Sequence, residues 1–406
     1  MRLATRTFIA LVCGALLTAA VACQLVVPLS VAPAEVVDAA ADAPEGPARI
    51  ASLVSCTDPN DVPAPTEGQG GEMTLDLAFS TISTSPDAGP GLCPTPGVNL
   101  DGLTTCLGED GGQVSPTCPP DKPHCRWGPA CSKQTRPGDV TCDDVGGVDN
   151  AFGAVLRRSP FAVIPKFDAR QVDPNVVLRT GVANVLIRLS GYNGTPNDPD
   201  VTVAFFVSSG VDETTTPMLP KEFDGGPEYL RVRWDGESRR TWFIDPSSLA
   251  EPTARIPRYS TSGFVRDGVL VVTATTMVVP FGLSLVISDA RMVADLRRAG
   301  DEWILRNGMV GGRISIADLV HALDPLQFFL GESLTSVCDS ELLRGQLLKL
   351  FCQAADLSSD GGACDVLSVG LTFRAVPADL GPVRKPQLNP VRGSCPDAAV
   401  DCEGLQ

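Results

Sequence analysis

From residue 150 onward, apolar and polar positions mostly follow the two-residue period of strands. Residues 184–190, NVLIRLS, put Val185, Ile187 and Leu189 on one face. Residues 200–208, DVTVAFFVS, follow the polar loop GYNGTPNDP, and the pair reads as a hairpin with a long loop. Further strands are predicted at 229–234, 241–245, 262–266, 268–274, 276–279, 281–287 and 303–306, with a last one at 366–376. Upstream, 73–82, MTLDLAFSTI, alternates well enough for one strand. The run VLVVTATTMVVPFGLSLVI, residues 269–287, carries no charge, but its three Thr, Pro280, Gly282 and dense β-branching point to consecutive buried strands rather than a membrane span. The helical period appears in two places. SIADLVHAL, 315–323, has Ser315 as N-cap and Asp318 in its first turn. Residues 339–355 gather Leu342, Leu343, Leu347, Leu350 and Phe351 on one face.

Many short strands separated by turn signals predict a mainly β protein: an antiparallel β-sandwich of jelly-roll or lectin-like type, with one or two helices in its C-terminal third. A β-barrel is the alternative. The expected organisation is a leader at 1–22, a Pro/Ala/Gly-rich tether at 23–70, and a cysteine-rich, disulfide-stapled segment at 71–142 packed on the main domain. The sandwich domain takes 143–380, and a cysteine-containing tail takes 381–406.

The N-terminus changes the setting. MRLATRTFIALVCGALLTAAVAC has a basic start at Arg2 and Arg6, a short apolar run, and small residues before Cys23. A Cys in that place resembles the lipidated residue of bacterial lipoproteins, although Ala20 stands where Leu is usual. The other reading is ordinary signal-peptidase cleavage at the same bond. In the lipoprotein family a residue other than Asp after the Cys, here Gln24, implies the outer membrane. The expected partner is therefore a membrane, through lipid on Cys23, and the protein is otherwise periplasmic or secreted. The formal charge is −16, and loss of Arg2 and Arg6 with the leader leaves −18. With no basic patch to offset it, this surface repels phosphates and argues against nucleic acid as a partner.

Fourteen Cys are present. Cys13 belongs to the leader and Cys23 to the lipid site. The other twelve, in a chain addressed to an oxidising compartment, are expected to pair. Seven cluster at Cys56, Cys93, Cys106, Cys118, Cys125, Cys131 and Cys142, and five at Cys338, Cys352, Cys364, Cys395 and Cys402. Both clusters are odd, so complete pairing needs at least one bridge between them. Cys338 and Cys352 flank one predicted helix, roughly 21 Å apart at about 1.5 Å per residue, beyond the reach of a disulfide. Each should pin a helix end to something else, and Cys364 is the nearest candidate. Zinc at Cys118, His124, Cys125 and Cys131 does not fit the spacing of zinc knuckles.

Two constellations carry candidate chemistry. CDDVGGVDN, 142–150, offers Asp143, Asp144, Asp149 and Asn150 as hard oxygen ligands, and Asp198 in the 193–200 loop could join them around Ca²⁺. The competing reading is turns and caps, with Asp149-Asn150 capping a helix over AFGAVL. Trp234 and Trp242 stand out in an aromatic-poor chain. Exposed, they would form a sugar platform; buried, they belong to a core. G-x-S-x-G, Walker A, dinucleotide and HExxH signatures are absent from the sequence, and no carboxylate pair stands out for glycoside hydrolysis.

Several phrases, DDVGGVDNAFG, LSGYNGTPNDPDVTV, RWDGESRRTWFIDP, FVRDGVLV and CDVLSVGLTF, resemble a family of exported lipoproteins from myxobacteria. The resemblance runs from about 140 to 376. It implies location and a single β-rich domain, with no established activity and no catalytic residues. The expectation is a non-enzymatic, lipid-anchored envelope protein, structural or ligand-binding, with a glycan or a protein of the envelope as partner. A calcium-assisted carbohydrate-binding module and a glycan-active hydrolase are the alternatives.

Overall fold

The alternating segments pair edge to edge until the last meets the first. The structure, a computed structural model, describes chiefly residues 70–84, 148–157, 173–214, 232–280, 284–323, 327–330, 333–337, 339–357 and 364–385, with short pieces around 67, 98, 359 and 402. The strands are β1 (Met73–Ser83), β2 (Asn184–Tyr192), β3 (Asp198–Val211), β4 (Arg240–Ile244), β5 (Leu249–Glu251), β6 (Ile256–Pro257), β7 (Tyr259–Arg266), β8 (Val269–Pro280), β9 (Ser284–Ala299), β10 (Glu302–Ser315), β11 (Gln327–Leu330), β12 (Ser333–Ser336) and β13 (Val366–Val383). The helices are α1 (Ala151–Arg157), α2 (Pro174–Thr180), α3 (Ile316–Leu323) and α4 (Glu341–Ala354). β1, β2, β3, β7, β8, β9, β10 and β13 form a closed antiparallel ring of eight, with β13 returning to β1.

The fold is therefore a β-barrel, not the jelly-roll sandwich expected from the strand pattern. Pairings of Leu77 with Pro377 and of Asp198 with Val265 join what would be sheet edges in a sandwich. A barrel removes exposed edges altogether. Alternation is the same in either architecture, since each has one dry face per strand. The first stave also comes from 73–83, within the stretch read as cysteine-rich.

Inside the ring, inward positions such as Leu77, Phe79, Ile187, Leu189, Phe205, Leu270, Met292 and Phe373 are almost wholly buried. Phe79 stacks on Phe373 with centroids 4.5 Å apart. Packing is close enough that a Cβ on Gly308 would lie 2.5 Å from the Phe373 ring. The barrel interior is thus a filled core, as expected for eight strands. Two bulges keep apolar residues inward along β9 and β10. Asp289 and Asn307 hold positive φ, 48° and 47°, where the register shifts. Beyond each bulge the inward parity resumes one residue later. The Asp267-Gly268 turn joining β7 to β8 has φ 51° and 80°, the left-handed pair that a two-residue hairpin needs.

The wall β13-β1-β2-β3 is apolar on both faces. Its outer positions, Ala78, Leu186, Ala204, Phe206, Val376 and Ala378, pack with Trp234, Trp242, Ile244 and Leu249 into a second core. β4 covers that face, antiparallel to β3 and parallel to β13. A third cluster lies on the outer face of β8, β9 and β10, where Val98 covers Val269, Val271, Val293 and Met309.

All four helices contribute to the barrel core, α2 through Leu178. Ala151, Phe152 and Val155 of α1, Ile316, Leu319, Val320 and Leu323 of α3, and Leu343, Leu347 and Phe351 of α4 are all buried in it. α4 is continuous, capped by the Ser340 hydroxyl, which accepts from the Leu343 amide. Cys352 in its last turn is bonded to Cys402, and Cys364 is disulfide-bonded as well. Residues 232–234, expected to be strand, are irregular, and α2 was not anticipated.

Candidate functional site

Asp149 and Asn150 lie where β1 stops short and leaves the lower part of β13 without a neighbour on that side. The Asn150 carboxamide fills the gap as a strand would. Its Oδ1 accepts from the Gly370 amide at 2.9 Å and its Nδ2 donates to the Gly370 carbonyl at 3.1 Å. The same Oδ1 accepts from Gly153 N at 2.9 Å and so caps α1. Asn150 leaves no room for a side chain at Gly153, where a Cβ would sit 2.6 Å from the carboxamide. Alongside, Ser368 donates its amide and hydroxyl to Asp356 and accepts from Ala151 N. The Asp149 carboxylate accepts from Leu100 N.

Asp198 sits elsewhere, on β3 in register with Val265, wholly buried. It accepts from Asn193 N at 2.6 Å and Asp200 N at 3.1 Å and holds the β2–β3 loop shut. The structure thus places Asp149 and Asn150 at β13 and Asp198 on β3, each tied to backbone amides in the manner of turns and caps. Among the described residues no three of His, Cys, Asp and Glu stand together as a metal site. Asp143 and Asp144 lie outside the described residues, as do Cys23, Cys56, Cys93, Cys106, Cys118, Cys125, Cys131, Cys142, Cys338 and Cys395.

Next to Asp198 stands Tyr192, buried, edge-on to Trp303 at 5.2 Å, its hydroxyl donating to the Thr195 carbonyl at 2.7 Å. Burial pushes its phenol up to about 12, and the Asp198 charge pushes in the same direction. Below pH 10 the group is neutral in the folded and unfolded chains alike, so the stabilising difference is complete. Between pH 10 and about 12 the unfolded chain ionises and the folded one does not, so stability falls. Thermal melts across that window should show the wild type losing stability more steeply than Tyr192→Phe. Parallel profiles would disprove the assignment.

The two tryptophans do not form a sugar platform. Both are fully buried, edge to face at 5.1 Å, inside the second core. The alternation R-T-W-F-I of β4 turns Trp242 inward with Ile244, and neither indole presents a face to solvent. Trp234 Nε1 donates to the Ser238 carbonyl, whereas Trp242 Nε1 has no acceptor.

No protein-family profile, curated protein or solved structure matches this chain. What the site does has to be read from its own chemistry.

The residue that pattern reading passed over is Arg240. It occupies the same inward parity as Trp242 and Ile244 and is only 7% exposed, yet its Nε has no partner. Beside it runs the loop Trp234–Ser238. There the Asp235 carboxylate accepts from Glu237 N, Ser238 N and Ser238 Oγ. Burial alone would raise the Asp235 carboxyl; those hydrogen bonds and the charge of Arg240 outweigh it and hold the group below its ordinary value. The clue was available in the sequence: an arginine in the apolar register of a strand is out of place unless something meets it.

Proposed function

We propose that the protein works outside the cytoplasm as a lipid-tethered, disulfide-stapled barrel of the cell envelope, binding or structural rather than enzymatic. The observation that carries this reading is the leader pattern ending at Cys23. The Cys352–Cys402 bridge supports it, because such bonds persist where thiols are oxidised. The outer face of the barrel adds a second strand of support. Arg188, Arg297 and Arg374 stand there in ion pairs with Asp76, Asp295 and Glu237, while the apolar residues point inward or, where they point outward, lie buried in the second and third clusters. Barrels that face lipid have the reverse pattern. Attachment to a membrane therefore falls to the tether and not to the staves.

Mass spectrometry of the native protein without reduction tests this. A mature chain beginning at Cys23 with an added acyl mass is expected, and Cys23→Ser should move the protein from the membrane to the soluble fraction. A chain that keeps Met1, or a Cys23→Ser variant that still sediments with membranes, would overturn the proposal.

A further inference from the structure

The second core contains two N–H groups with nothing to bond. Arg240 Nε and Trp242 Nε1 are both buried donors without an acceptor. The two side chains leave β4 on the same face, two residues and hence roughly 7 Å of strand apart. Arg240 is in register with Ala378 and Trp242 with Leu380, so both point into the space between β4 and the barrel wall. Arginine and tryptophan only donate. The missing partner is therefore an acceptor.

The neighbouring carboxylates do not supply it. Asp379 and Glu302 are held by Arg239, Glu237 by Arg374, Glu213 by Arg233 and Asp76 by Arg188. Asp235 feels the charge of Arg240, but its Oδ1 takes the Ser238 and Glu237 donors and no hydrogen bond joins its carboxylate to Arg240. Among the described residues, the Arg240 side chain makes no hydrogen bond and no ion pair. Two more guanidiniums adjoin the same loop. Arg179 Nη2 lies 3.7 Å from where a Cβ on Gly236 would be, and Arg374 grips Glu237 with its own Nε buried and unpaired. Around residues 235–238, three guanidiniums face two carboxylates. An unpartnered cation at this depth is costly, and a charge-assisted bond to an oxyanion removes that cost.

We infer that the compartment between β4 and the barrel wall is a binding site for a small oxyanion, a carboxylate or phosphate group, which accepts from the Arg240 guanidinium and the Trp242 indole N–H. The adjacent Trp pair reports on occupancy, because a charge beside Trp242 alters its emission.

The test titrates the full-length protein with sodium acetate and with inorganic phosphate at constant ionic strength set by chloride. It follows tryptophan fluorescence and the melting temperature. A saturable fluorescence change and a rise in melting temperature are expected with at least one of the two, and which one responds assigns the carboxylate or phosphate class. Arg240→Met should weaken that binding about tenfold or more, and Trp242→Phe by a smaller factor. In chloride alone Arg240→Met should melt no lower than the wild type, because it removes a buried charge that lacks a partner. Titrations that are flat or unsaturable for both anions would overturn the inference, as would undiminished affinity in Arg240→Met. The wild-type titrations decide the matter even if a variant does not fold.

Discussion

Asn150→Leu should cost about 4 kcal/mol, a large share of the roughly 5–15 kcal/mol that holds a domain together. The substitution strands three backbone groups at once: the Gly370 N–H, the Gly370 C=O and the Gly153 N–H. Asn150 is 5% exposed, so water cannot easily take over. Each buried polar group left unmatched costs roughly 1–3 kcal/mol. Asn150→Asp should lose less, because a carboxylate keeps both acceptor roles and forfeits only the donation to Gly370. A comparison is built into the fold. Asn175 of α2 grips Ile82 N and Ile82 O with the same two-bond geometry, at 2.9 and 2.8 Å. It is only half-buried, and Asn175→Leu should cost about 1 kcal/mol. Urea unfolding measures all three through the midpoint, with the slope unchanged. Equal losses at Asn150 and Asn175 would mean that burial does not govern these bonds.

The two asparagines also show where sequence reading succeeds and where it stops. That Asp149-Asn150 would cap a helix was legible, because a short polar side chain before an apolar run has a local signature. That the same carboxamide would complete a β-sheet was not, since its partner is 220 residues away. Closure of the barrel has the same character. β1 and β13 each alternate correctly in isolation, but their pairing across some three hundred residues leaves no mark on either. The second half of β9 was missed for a different reason. ARMVADLR alternates, with Ala290, Met292, Ala294 and Leu296 inward, but its small and charged residues resemble a helix in composition. The bulge at Asp289 shifts the parity and hides the continuity. Burial of Trp234 and Trp242 was legible only as the commoner of two outcomes. The side on which β4 would be covered depends on a wall apolar on both faces, and that shows only after folding.

Cys402→Ser should destabilise the protein by about 2–4 kcal/mol. The bridge to Cys352 closes a loop with a sequence separation of 50 residues, and loop-closure entropy for that length amounts to about 4 kcal/mol. Helix geometry had already excluded Cys338 as the partner of Cys352, and α4 does run unbroken from 341 to 354. The bridge instead brings Cys402 to the buried end of that helix, where Cys352 is wholly inaccessible and Ala354 and Ala355 pack beside it. The gain arises mostly in the unfolded chain, which loses freedom when cross-linked. Cys352→Ser, Cys402→Ser and the double variant should therefore lose nearly the same amount, because each opens the same loop. If the double variant lost the sum of the two single changes, the effect would lie in packing around each sulfur and not in the cross-link. Mild reduction of the wild type gives an independent reading. Chemical denaturation before and after should reproduce the Cys402→Ser loss only if the bond reduced is this one, as thiol mapping of Cys352 and Cys402 would establish.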